Sequence, residues 1–233
     1  MHGLFFVLGI TVFFLGLTIV VACREKRLVW PYGPPEQAPR CADTAGYGYS
    51  RVAEATQYGL LCLGWSPDVR GKQYQTSYAM LLSPDRMYLA VVGTGTIIGI
   101  PLNSTWICSR TSDDRLCYST DHQNGVEVDL TGTVRSQLVP GASFGTLWQR
   151  HAEWLQRAGI RTQPFDIGNE FECFHRLRAA RTKEMLDRGL IRYTDATKIW
   201  YSYTVLGAIR FAFVSYGVGV LRALTGGRLP RTA

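Results

Sequence analysis

Gly3-Leu-Phe-Phe-Val-Leu-Gly-Ile-Thr-Val-Phe-Phe-Leu-Gly-Leu-Thr-Ile-Val-Val-Ala22 is the stretch around which this chain is read. It carries no charged side chain, and at ~1.5 Å per residue a helix of about twenty such residues reaches across a ~30 Å hydrocarbon layer. A second apolar stretch runs from Val205 to Leu224. Arg24, Lys26 and Arg27 follow the first stretch, and Lys183, Arg188, Arg192 and Lys198 precede the second. The positive-inside rule then predicts two transmembrane helices, 3–22 and 205–224, with a domain between them facing the cytoplasm at the cell membrane. Arg210 opposes the second crossing, since a charge at mid-bilayer costs ~2.5–3.5 kcal/mol. It lies near one end of the segment, so its guanidinium either reaches back to the headgroups or belongs to an interfacial helix lying flat.

Two other readings of the first stretch stay open. Val20-Val21-Ala22-Cys23 resembles the lipobox of bacterial lipoprotein signals, which would make the chain an exported lipoprotein domain. An ordinary signal peptide needs a basic start, whereas only His2 precedes the apolar run. The net charge of +7 is concentrated beside the two apolar stretches. That placement points to a lipid bilayer with anionic headgroups as partner and away from nucleic acid. Six cysteines, at 23, 41, 62, 108, 117 and 173, form no Cys-x-x-Cys pair, which excludes zinc ribbons and thioredoxin-like motifs.

Between the apolar ends, residues 23–48 read as a basic and then Pro/Gly-rich linker. Pro31, Pro34, Pro35 and Pro39 deny it a helix or an inner strand. Residues 49–159 read as one mainly β domain. Ser50 to Gly59 suits a short helix, and Tyr58 to Gly64 reads equally as its continuation or as a first strand. Tyr78–Leu82 and Met87–Val92 flank Ser83-Pro84-Asp85-Arg86, a tight-turn composition that predicts a hairpin. Thr105–Ser109 and Arg115–Ser119 flank a second turn. Centring that turn on Ser112-Asp113 sets Cys108 opposite Cys117, close enough for a disulfide in an oxidising compartment. Asn124-Gly125 is the strongest hairpin signal in the chain, followed by an alternating strand over 126–130. Phe144, Leu147, Trp148, His151, Trp154, Leu155 and Ala158 recur at helical spacing, which predicts an amphipathic helix over 144–158 capped by Gly159. Residues 160–204 read as a basic helix over 169–188 and a small hairpin, and 225–233 as a tail.

A run of short antiparallel strands closed by one amphipathic helix resembles the pleckstrin-homology superfold over about residues 60–158. The resemblance rests on element order. It implies a small antiparallel β-barrel or strongly bent sheet capped by the helix, and phosphoinositide binding by basic strand loops. The first hairpin offers only Asp85 and Arg86 for that task.

No stretch carries a catalytic signature. Gly93-Thr-Gly-Thr-Ile-Ile-Gly99 lacks the third glycine of a dinucleotide loop and runs into Ile100-Pro101 rather than a helix. His151 falls on the apolar face of its helix and reads as a core residue. Glu172 and His175 share a helix face but lack a third metal ligand nearby. Asp121 and His122 read as polar loop residues, and Ser109, Ser119 and Ser143 lack a nucleophile elbow. The expectation is therefore a membrane-anchored α+β protein with no catalytic, cofactor-binding or metal site. It would act as a membrane-tethered, non-enzymatic interaction or scaffold module for an unknown protein partner. The alternatives are an enzyme working on a membrane-associated substrate and an exported lipoprotein domain.

Overall fold

A computed structural model of the chain describes residues 2–24, 27–28, 46–65, 69–70, 74–97, 100–101, 103–121, 130–131, 135–196 and 200–213. It divides the chain into two compact units. Met1–Pro31, Val128–Gly132 and Ala180–Ala233 form one, and Tyr32–Glu127 with Thr133–Ala179 form the other.

The first unit holds helix α1 (His2–Arg24) and a three-stranded antiparallel sheet of β1 (Arg27–Leu28), β11 (Ile191–Tyr193) and β12 (Trp200–Tyr203), in the order β1-β12-β11. It also holds the second half of α4 (Glu170–Asp187) and a helix, α5, over 205–213. Ala22 is 1% exposed and belongs to a core with Leu130, Met185, Leu190, Ile191, Tyr203 and Ala208, and Ile19 and Cys23 pack against it. The Thr204 hydroxyl caps α5 by accepting from Gly207 N, and it donates to the Gly189 carbonyl. On its remaining sides α1 exposes Val12, Phe13, Phe14, Leu17, Val20 and Val21.

These observations correct the membrane reading. No helix among the described residues is long and apolar enough to cross a membrane. The last turn of α1 is built into a protein core, and α5 adds Ala208 to it. A charge-free run in the sequence says nothing about which of its side chains find protein neighbours, and here the end of the run does. Residues 214–224 of the second apolar stretch lie outside the described residues. The two transmembrane helices, the membrane-tethered module and the cell-membrane location are therefore not upheld.

The second unit is built on a nine-stranded mixed sheet. Its strands are β2 (Leu61–Trp65), β3 (Val69–Arg70), β4 (Tyr74–Leu82), β5 (Leu89–Ile97), β6 (Ile100–Pro101), β7 (Ser104–Thr111), β8 (Leu116–Thr120), β9 (Arg135–Leu138) and β10 (Thr162–Gln163). The main path runs β2-β4-β5-β7-β8-β9, with β3 beside β4, β6 beside β5 and β10 beside β7. All pairs are antiparallel except β8–β9, which is parallel. Among the described residues the path ends at β2 and β9, so the expected small antiparallel barrel or strongly bent sheet is replaced by an open mixed sheet. The return of β9 parallel to β8 is what makes the sheet mixed rather than antiparallel.

Tyr78–Leu82 and Leu89–Val92 are buried along their whole length because both sheet faces are covered. On one face Ala79, Leu81, Ala90, Val92 and Ile107 pack with Ala55 of α2 (Tyr47–Gln57) and with Phe144 and Leu147 of α3 (Phe144–Arg157). Gly48 lets α2 approach closely, because a Cβ there would fall 2.7 Å from the Thr94 methyl. On the other face Arg178 of α4 lies over the Trp106 ring, 5.6 Å from its centre. The hairpin at Ser83 is present with Leu82 opposite Leu89. Its loop is wider than the predicted tight turn, because Arg86 takes a left-handed backbone (φ 60°). The linker expected over 23–48 gives way to α2 from Tyr47, and Leu61 begins a strand. Asn124-Gly125 and residues 126–129 lie outside the described residues.

Trp154, 4% exposed on α3, packs with Cys117 and Leu155 at the end of this core. Trp154→Ala is expected to cost ~3–5 kcal/mol of unfolding free energy, read from the urea midpoint at unchanged m-value.

Candidate functional site

The chemistry-bearing groups of the second unit gather where α3 crosses β7 and β8. Strand β7 turns into β8 through Thr111–Arg115, with Asp114 N–H donating to the Thr111 carbonyl (2.9 Å) and Thr111 N–H to the Arg115 carbonyl (2.8 Å). Asp114 has φ 59°, the left-handed conformation that closes a three-residue hairpin loop. The loop therefore holds one residue more than a turn centred on Ser112-Asp113. Arg110 pairs with Leu116, Ser109 with Cys117 and Cys108 with Tyr118. This corrects the predicted Cys108–Cys117 pairing: the two thiols point to opposite faces and both are free.

Ser143 caps α3, its hydroxyl accepting from Thr146 N (3.2 Å). Helical spacing from there carries His151 to the sheet-facing side in mid-helix. His151 is 0% exposed. Its Nδ1 lies 2.8 Å from Ser119 Oγ and its Nε2 3.1 Å from Ser109 Oγ. A neutral imidazole carries one N–H, so one serine accepts from the ring and the other donates to it. Burial with no charged partner holds the His151 pKa down, at about 3 against the usual 6.5. Cys117 donates its S–H to the Ser109 carbonyl (3.4 Å), and burial pushes its pKa up to about 12. Tyr88 and Trp154 close the ring in, with centroids 5.9 and 5.7 Å from the imidazole. Both serines are 0% exposed, and so is the histidine between them. The geometry has the parts of a nucleophile and its base, but this conformation leaves no route for a reactant.

A second polar group ties α2 to the sheet. The Asp121 carboxylate accepts from Thr105 N (2.7 Å), Tyr47 Oη (2.5 Å) and Arg51 (3.2 Å). Arg51 also donates to the Ala142 carbonyl (2.6 Å) and pairs with Glu54 (2.9 Å). Glu54 in turn accepts from Phe144 N at the start of α3 (2.9 Å). Tyr47 is held protonated well above the usual phenol range, chiefly by burial and then by its bond to Asp121. Asp121 is thus a satisfied structural anion, while His122 lies outside the described residues.

The remaining sequence candidates are dispersed. Gly93, Thr94 and Gly95 are strand β5, not a phosphate loop. Glu172 and His175 lie on α4, with the imidazole against the Phe171 ring (5.1 Å). No group of three metal-ligating side chains occurs among the described residues. Arg110 pairs with Asp114 and Asp166 (2.6 Å each), and this pairing lowers the Asp166 carboxyl pKa. Sequence reading missed that Ser109 and Ser119 meet His151. Two hydroxyls at alternate, inward-facing positions of apolar strands were the available signal, but it depended on a register that the extra turn residue shifts.

Comparison with protein-family models, curated proteins and solved structures finds no match.

Ser119→Ala should cost ~1–3 kcal/mol, because it leaves His151 Nδ1 buried without a partner. Asp121→Ala should cost ~1–3 kcal/mol, since it leaves the buried Thr105 N without its acceptor while Arg51 keeps Glu54 and the Ala142 carbonyl. Chemical denaturation of each variant checks both values.

Proposed function

We propose that the sheet-based unit is a non-enzymatic binding domain that meets a protein partner through its surface. One observation carries this reading: the Ser109–His151–Ser119 group is completely buried and spends its hydrogen bonds on itself. A catalytic serine must reach a carbonyl or phosphoryl group, and a general base must titrate near the working pH. His151, with a pKa of about 3, is sealed between α3 and the sheet and stays neutral far below neutrality. Its role in this reading is to fix α3 to β7 and β8 in a single register. Asp121 and Arg51 do the same for α2.

A hydrolytic reading is the alternative. It is favoured by Ser109 Oγ lying within hydrogen-bond distance of a histidine whose other nitrogen is oriented by Ser119. It requires α3 to lift from the sheet before substrate enters.

A fluorophosphonate probe separates the two. The folded protein is expected to take up no label, while its thermal unfolding stays unchanged. Stoichiometric labelling of Ser109 or Ser119, lost in His151→Gln, would establish the hydrolase instead.

A further inference from the structure

We infer that His151 is an acid-sensitive latch, and that protonation of its imidazole releases α3 from the sheet while β4 and β5 stay paired. The inference goes beyond the proposed function and holds whether or not the unit is catalytic.

The latch is defined by what surrounds the ring. From β7 and β8 it meets the neutral hydroxyls of Ser109 and Ser119. The Cys117 thiol on β8 donates its S–H to the Ser109 carbonyl. The Tyr88 phenol, in the loop before β5, presents its ring edge. On α3 itself, Arg150 and Glu153 pair with each other at 3.3 Å and are 43% and 38% exposed. From β9, Arg135 acts on Cys117 as a cation, so it would disfavour a second positive charge nearby. Asp113 is exposed and pairs with Arg115, and Asp85 is taken by Ser83 Oγ and Met87 N. Arg51 and Glu54 of α2 engage each other and the other end of α3.

No carboxylate among these groups is placed to receive an imidazolium. If the ring takes a proton from solvent, both nitrogens become donors and both serines can turn to accept. Among the described residues a buried cation would still find no counter-charge. The open state, in which α3 leaves the sheet and the ring is hydrated, binds that proton with an ordinary affinity.

The direction follows from linkage. The imidazole pKa is lowered in the closed state and ordinary in the open one. The open state therefore binds more protons below about pH 6.5, and closure weakens as pH falls through that window. Closure is at full strength above pH 6.5. The open-to-closed ratio should rise by about tenfold for each pH unit below it. Between pH 7.5 and pH 5, where ordinary carboxylates stay ionised, the expected rise is about 30-fold.

Hydrogen exchange on the full chain, corrected for intrinsic rates, measures this ratio at the α3 amides. Protection over 144–157 should fall about 30-fold from pH 7.5 to pH 5. At every pH it should be lower than protection over β4 and β5. His151→Gln, neutral throughout, should flatten the dependence. An unchanged pH profile in that variant, or equal protection in α3 and in β4–β5, would overturn the latch. If the variant does not fold, NMR titration of His151 in the wild-type chain decides: a ring still neutral at pH 5 in the folded protein supports the inference, and a folded-state midpoint near pH 6 refutes it.

Discussion

The left-handed backbone at Asp114 governs more of the second unit than its place in a surface turn suggests. That one residue sets the β7–β8 register, and a slip of one position turns every side chain of a strand to the opposite face. With Ser109 opposite Cys117, Ser109 and Ser119 share the face that α3 covers, and His151 can bridge them. In the register of a two-residue turn the serines would lie on opposite faces, and Cys108 would meet Cys117. Asp114 is held in place by Arg110, whose guanidinium also reaches Asp166 ahead of α4. A turn, a salt bridge and a buried histidine thus act as one device.

The polar groups of the core divide the work of positioning. His151 holds the middle of α3 against β7 and β8, while Glu54 holds the N-terminal end of the helix through Phe144 N. Asp121 joins the backbone of β7 to Tyr47 and Arg51 of α2. Apolar burial of Phe144, Leu147, Ala55 and Ile107 supplies the driving force but is non-directional. The hydrogen-bonded groups add direction, since each has one geometry in which its partners are satisfied and heavy penalties elsewhere.

Legibility in the sequence followed the range of the interactions involved. The amphipathic spacing from Phe144 to Leu155 and the Gly159 stop are local, and α3 has nearly the predicted bounds. The hairpin at Ser83 and a small hairpin after α4 were also readable from turn composition, though not the register that pairs Ile191 with Tyr203. The first apolar stretch was readable as a helix, since α1 spans His2–Arg24, but not as a membrane crossing. Its last turn packs with Leu130 and Tyr203, which are remote in the chain, so no local pattern announces the contact. The parallel pairing of β9 with β8 escaped for the same reason. Such a pairing depends on how the intervening chain returns, not on the residues of either strand.

Sequence by itself determined that α1, α3 and α4 are helices, that strands flank Ser83 and Ser112, and that His151 faces inward on α3. Periodicity and turn chemistry act over a few residues, and the sequence displays them directly. Tertiary structure alone decided that the sheet stays open and mixed, that Cys108 and Cys117 part company, and that Ser109 and Ser119 converge on one imidazole. The last two depend on register, and a single residue in the left-handed region at Asp114 changes the register without changing the hydrophobic pattern on either side of it.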